Sequence, residues 1–111
     1  MHRSAEFLRL QRKGARVQSK HFVLYAGKLG DEAERRLGIT VSRRIGNAIV
    51  RNRLKRRVRE CFRVALRDQI PRGVSMVVIA LAGAGTLETP AINRELAAAT
   101  VNAMQRLEAR S

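Results

Sequence analysis

The chain has no tryptophan, one tyrosine, three phenylalanines, two prolines and a single cysteine in 111 residues. A lone Cys61 excludes an intrachain disulfide, and with it a small secreted scaffold held by bridges. Only two histidines and nine acids are present, and they are scattered. They form no cluster of the kind that metal-dependent or acid–base hydrolysis needs. Asp31, Glu32 and Glu34 share a polar stretch but have no His or Cys among them, so a hard cation is the most they suit. No residue is a catalytic candidate, and no bound cofactor is expected. Long hydrophobic runs are also missing. The most apolar stretch, "VSMVVIALAGAG", is too short and too rich in small residues to cross a bilayer. The first residues, "MHRSAEFLRL", lack the apolar centre of a signal peptide. A soluble, cytoplasmic protein with no membrane partner is expected.

Positive charge is what the chain has in excess. Its 23 Lys+Arg against 9 Asp+Glu give a net charge of +14. That charge opposes compaction and attracts polyanions. Nineteen of the cations are Arg, the residue whose flat fork pairs two-point with phosphate and stacks on bases. Forty-five per cent of the residues are hydrophobic, which suits a folded chain and not a basic tail. The length predicts one domain, residues 1–111, with a core of its own.

The pattern along the chain reads α, β, β, α, β, α, with room for an extra short strand near residues 16–20. Ser4 caps a helix running to about Lys13, and Gly14 ends it. Residues 16–26 alternate as a strand. Val17, Ser19, His21, Val23 and Tyr25 share one face, and Gln18, Lys20, Phe22, Leu24 and Ala26 the other. Residues 27–36 are a polar loop. In 37–43, Leu37, Ile39 and Val41 face one way; Gly38, Thr40 and Ser42 make a small, polar face across which something else has room to lie. Gly46 and Asn47 turn into a helix over 48–68, closed by Pro71 and Gly73. "VSMVVIALA" (74–82) is a buried strand. Thr89 and Pro90 open the last helix, which runs to about Ala109 with Leu96, Val101, Met104 and Leu107 inward. The fold class is a single-domain α+β sandwich: a small, mostly antiparallel sheet with helices packed on it.

The helix over 48–68 combines two patterns. At 100° per residue, Val50, Leu54, Val58, Cys61, Phe62 and Ala65 form a packing face. Asn52, Lys55, Arg56, Arg59 and Arg63 gather roughly opposite. A solvated helix face normally mixes charge signs. Residues 43–63 instead carry nine cations and one acid, Glu60. An external polyanion relieves that repulsion. A membrane fits less well, since it wants Trp or Phe beside the cations and the apolar face here belongs to the core. Arg51 falls in the apolar sector, in the first turn, from which its long stem reaches outward or across the sheet edge toward a ligand.

"RLGITVSRRIGNAIVRNRLKRRVRECFR" (36–63) closely resembles the signature of the bacterial ribonuclease P protein subunit, with "VRNRLKRRVRE" as that family's basic helix. "EFLRLQRKG" (6–14) and "HFVLY" (21–25) match its flanking parts in order and spacing. The resemblance covers residues 6–67 strongly. It implies a non-catalytic protein that binds a catalytic RNA, one protein per RNA, and holds the 5′ leader of precursor tRNA between its first helix and its sheet. The RNA performs the hydrolysis with Mg2+. It also implies a left-handed βαβ crossover around the basic helix. Arg51, Asn52, Arg53, Lys55, Arg56 and Arg59 are the RNA-contacting positions carried over by matching letters, and Arg43 and Arg44 match a basic pair. Arg63 joins them by its spacing from Arg59. Phe7 and Tyr25 match the aromatic positions of the leader cleft. Gln11 stands where the family often has a second aromatic, which replaces stacking with a hydrogen-bonding contact. Thr40, on its small strand face, completes the cleft set. The alternative is another structural RNA-binding protein, such as a small ribosomal protein, which shares the charge without needing an aromatic cleft.

Overall fold

A computed structural model describes residues 8–10, 12, 14–28 and 36–109. Strand β1 (Ala15–Gln18) turns back into β2 (Phe22–Lys28), and β3 is Arg36–Thr40. A 3-10 turn over Arg43–Ile45 leads into helix α1 (Ala48–Cys61). After β4 (Val74–Ala80), helix α2 (Thr89–Ala109) closes the chain. The sheet order is β1-β2-β4-β3. The β1–β2 and β2–β4 pairs are antiparallel, and β3 and β4 are parallel neighbours. Parallel neighbours require a crossover, and α1 is that crossover. The expected α+β class and the extra short strand are both present. Of the expected first helix, residues 8–10 and 12 have helical backbone; Ser4, Phe7, Gln11 and the acids at 31, 32 and 34 lie outside the described residues.

The stretch read as one strand over 16–26 is a hairpin. Register places Val17 opposite Leu24 and Arg16 opposite Tyr25. Val17 therefore joins Phe22, Leu24 and Ala26 on the core face, and not Val23 and Tyr25 as a continuous strand requires. The turn holds neither Gly nor Pro, so nothing local announces it. It is held from a distance. The Glu95 carboxylate on α2 accepts the Ser19 hydroxyl, the His21 backbone N–H at 2.6 Å and the His21 ring Nδ1 at 2.7 Å. Leu81 N–H donates to the His21 carbonyl at 2.8 Å.

Both helices cover one face of the sheet: α2 lies over β1 and β2, α1 lies over β3, and the helices touch each other. The core under them includes Phe22, Leu24, Met76 and Val78 from the sheet, Leu54 and Val58 from α1, and Ile92 and Leu96 from α2. Along α2 the buried stripe is Ile92, Leu96, Ala99, Thr100 and Ala103. Val101, expected inward, is exposed, being about 100° of helix rotation from Thr100.

Helix α1 also departs from its sequence pattern at one end. Asn47 caps it, its Oδ1 accepting the Val50 N–H at 3.0 Å. The α-helix ends at Cys61, a π-helical turn follows over Phe62–Leu66, and a 3-10 turn over Arg67–Gln69. The i→i+5 bonding of a π turn shifts the inward position on by one residue. Ala65, expected in the packing face, is exposed, and Leu66 is buried in its place.

The Glu95 pin yields a pH prediction. Burial pushes the Glu95 carboxyl up, but the hydrogen bonds from Ser19 and His21 and the nearby imidazole charge outweigh it, so the group sits below the ordinary carboxylate range. A depressed carboxyl stabilises the fold fully above its unfolded value, ~4.3, and ceases to as pH falls through the folded value. Urea melts between pH 7 and pH 3 will show the midpoint falling at the acid end. In Glu95→Gln the fall will be shallower, and equal slopes for the two proteins refute the pin.

Candidate nucleic-acid interface

Two surfaces carry the residues singled out in the sequence. The first is the outer face of α1. Leu54, Val58 and Cys61 are buried on one side. Asn52, Arg56 and Arg59 are exposed on the other. At 1.5 Å per residue, Asn52 to Arg59 spans about 10 Å. The side chains of Arg56 and Arg59 have no hydrogen-bonding or ionic partner among the described residues. Lys55 and Arg53 are half-buried, their stems lying along the domain. Arg43 and Arg44 are exposed in the turn before α1, so the basic pair and the row belong to one continuous stretch.

Arg63 differs from this row. Spacing places it with the free cations, but it is exposed and ion-paired to Glu60, with Nε donating to Oε2 at 3.2 Å and Nη2 donating to Oε1. The pair lowers the Glu60 carboxyl through the Arg63 hydrogen bond. The one acid of the stretch thus neutralises the far end of the row and leaves its middle uncompensated. Arg51 is the opposite case. Its Nε is shielded from solvent with no partner among the described residues. A buried donor left unmade costs about 1–3 kcal/mol, more when charged.

The second surface is the sheet face away from the helices. Register lines up Arg16, Tyr25, Val77 and Gly38 in one row across the four strands. The next row is Gln18, Val23, Ile79 and Thr40. At ~4.8 Å between strands, each row is about 14 Å wide. Gly38 and Thr40 keep the β3 side low, as their small face predicts. Tyr25 is on this face but not beside Ser19 and His21, which the hairpin turn directs toward α2. Its neighbour is Arg16, a residue absent from the expected cleft set. Arg16 Nε donates to the Tyr25 hydroxyl at 3.2 Å, and its guanidinium carbon lies 5.9 Å from the ring centroid, within cation–π range. Only the hairpin register pairs 16 with 25, so no motif points to Arg16. The floor of this face is closed at one end by Leu10. A Cβ on Gly27 would stand 2.8 Å from Leu10 Cδ2, and one on Gly14 would stand 2.5 Å from the Ala26 carbonyl oxygen. Glycine at both positions lets the first segment lie directly on β2. Phe7 and Gln11, assigned to the same cleft, lie outside the described residues.

The exposed groups on these surfaces, guanidinium, ammonium, phenol and amide, are groups suited to binding an anion or a base. Ser19, His21 and Glu95 are three groups a hydrolase could use, but their order is wrong. The carboxylate stands between hydroxyl and imidazole, so the imidazole does not face the Ser19 oxygen as it does in a hydrolytic triad. Among the described residues no three His, Cys, Asp or Glu side chains are grouped to hold a metal ion. Cys61 is buried, and burial raises its thiol above the ordinary value. No helix among the described residues is long and apolar enough to cross a membrane.

The model of the Ribonuclease P family matches residues 1–104. The ribonuclease P protein component of Brevibacillus brevis is 39% identical over 102 residues, covering 86% of this chain and 80% of that one. The Mycobacterium sp. (strain KMS) component is 37% identical over 110 residues, covering 98% and 92%. The solved Staphylococcus aureus RNase P protein superposes with a TM-score of 0.80 at 33% identity over 93% of each chain. The Thermotoga maritima protein gives 0.75 at 32% identity over 88% of this chain and 91% of that one. With its sequence matched nearly end to end and its four-stranded mixed sheet shared, the chain belongs to the ribonuclease P protein family.

Proposed function

We propose that this protein is the RNA-binding subunit of a ribonuclease P, acting in tRNA 5′ maturation with the chemistry left to a catalytic RNA and its Mg2+. The observation that carries this is the division of α1: Leu54 and Val58 hold the fold while Arg56 and Arg59 stand unpaired on the outer side. A row of uncompensated cations on a rigid helix is a phosphate-binding surface. Arg43, Arg44, Arg51, Asn52, Arg53 and Lys55 extend it toward the catalytic RNA. On the far face of the sheet, Tyr25 and Arg16 offer a stacking platform to single-stranded RNA, and Thr40 lines the opposite side. The 5′ leader of precursor tRNA is the strand that this platform takes. Two surfaces on one small domain then fix the leader relative to the catalytic RNA, which is positioning catalysis without a catalytic side chain.

The Tyr25 platform separates this reading from that of a general structural RNA-binding protein. Tyr25→Ala is expected to weaken binding of leader-bearing precursor by about 1–3 kcal/mol, the value of one stacked base. Binding of catalytic RNA alone, and of mature tRNA without a leader, will be unchanged. Equal weakening of all three RNAs, or of none, rejects the leader assignment.

A further inference from the structure

At the C-terminal end of α1, between the π turn and the start of β3, lies an open cavity of about 410 Å³. It is on the helix-bearing face of the sheet, since Leu37 and Met76 in its wall are register partners on the core side. It is therefore separate from the Tyr25 platform. Its floor is apolar: Leu37, Phe62, Ile70 and Met76. Its rim is cationic: Arg36 from β3, and Arg59, Arg63 and Arg67 from the helical side. Arg63 is held by Glu60, whereas the side chains of Arg59 and Arg67 have no partner among the described residues. Arg67 lies four residues after Arg63, one helical turn beyond the row singled out in the sequence. The π turn and the 3-10 turn after it bring Arg67 to the same rim as Arg59.

An apolar floor under an arginine rim suits a ligand with a flat, weakly polar body and attached phosphates. A bare phosphate leaves most of the space empty, for the cavity falls in the ~300–1,000 Å³ range of small-molecule sites. Paired bases cannot enter, because their faces are stacked and their edges occupied. An unpaired nucleotide satisfies both halves, with its base against the floor or between guanidinium planes and its phosphates on the rim. The cavity also continues the row of α1 through Arg59, so an RNA backbone following Arg56 and Arg59 arrives at its mouth.

We propose that this cavity receives one unpaired, extruded nucleotide of the bound RNA, read by its base as well as by its phosphates. The proposal deepens the RNA-binding reading and rests on it for the identity of the strand. Three probes test the site directly: adenosine 5′-monophosphate, ribose 5-phosphate and inorganic phosphate. Each is titrated into the full chain labelled with 13C at its methyl groups. The monophosphate is expected to shift the methyl signals of Leu37, Ile70 and Met76 saturably. Ribose 5-phosphate will bind about fivefold more weakly or worse, the low end of what one stacked base contributes, and inorganic phosphate will leave the methyls unmoved. Arg67→Ala, at an exposed position, will weaken the monophosphate about fivefold while the Leu96 methyls keep their wild-type positions. Unmoved pocket methyls, or equal binding of all three probes, overturns the proposal. The same methyls are then followed with catalytic RNA. RNA that binds without shifting them removes the pocket and keeps the RNA-binding role. A chain that takes the monophosphate but binds no RNA keeps the pocket and removes the role.

Discussion

Leu54→Ala is expected to destabilise the fold by about 2–5 kcal/mol, through lost burial and the cavity left behind. Leu54 is only 3% exposed and packs with Val58 in the core shared by sheet and helices. Against a total stability of about 5–15 kcal/mol for a small domain, that loss is a large part of the whole. RNA affinity, measured in denaturant-free buffer at a temperature where the variant is folded, will be unchanged, because Leu54 faces away from the cations. A urea melt gives the first quantity and a binding titration the second. A folded Leu54→Ala with weakened RNA affinity shows that the two faces of α1 are not separate.

The double variant Arg56→Ala/Arg59→Ala is the complement. Both residues are exposed and unpaired, so their removal opens no cavity and relieves like-charge repulsion. Stability will hold or rise slightly. RNA binding will weaken by roughly 0.5–2 kcal/mol for each charge-assisted hydrogen bond to phosphate that the variant no longer makes. The slope of log K against log salt gives a sharper readout. Neutralising two fewer phosphates will flatten it by about 1.8 on a duplex, or about 1.4 on single strands, by the per-phosphate release terms known for nucleic acids. Arg63→Ala will flatten it less, because Arg63 is already neutralised by Glu60. An unchanged slope in the double variant means that the row does not meet phosphate.

The division of α1 is legible in the sequence because it needs only helical periodicity: apolar residues at 54, 58 and 61, cations between them, and a capping Asn47. The small face of β3 is legible for the same reason, with a period of two. The features that periodicity does not reach depend on residues far apart in the chain. The Ser19–His21 turn has neither Gly nor Pro, and beyond the Ser19–Phe22 bonds it is fixed by Glu95, 74 positions beyond His21. Without that turn, Val17 falls on the wrong face and the Arg16–Tyr25 pair is hidden. The π turn after Cys61 is equally invisible, since nothing in "FRVAL" breaks an α-helix, yet it exchanges Ala65 for Leu66 in the core. The Glu60–Arg63 pair sits at i, i+3 spacing and is readable from the sequence. Counting the cations as charges and not as partners is what conceals it. The cleft residues Phe7, Gln11 and Thr40 come from resemblance or from a strand face. Of these, Thr40 is on the sheet face with Tyr25.

In the proposed role the protein positions RNA and leaves the bond cleavage to its partner. The direct test is leader removal from precursor tRNA in Mg2+, with RNA-free protein alone, catalytic RNA alone, and the two together. The protein alone is expected to remove no leader at any Mg2+ concentration. The mixture will cleave at the mature 5′ end at lower Mg2+ than the RNA alone, because the cations of α1 and the pair Arg43–Arg44 replace part of the counterion charge that holds the two RNAs together. Leader removal by the RNA-free protein, or identical Mg2+ dependence with and without it, contradicts the account.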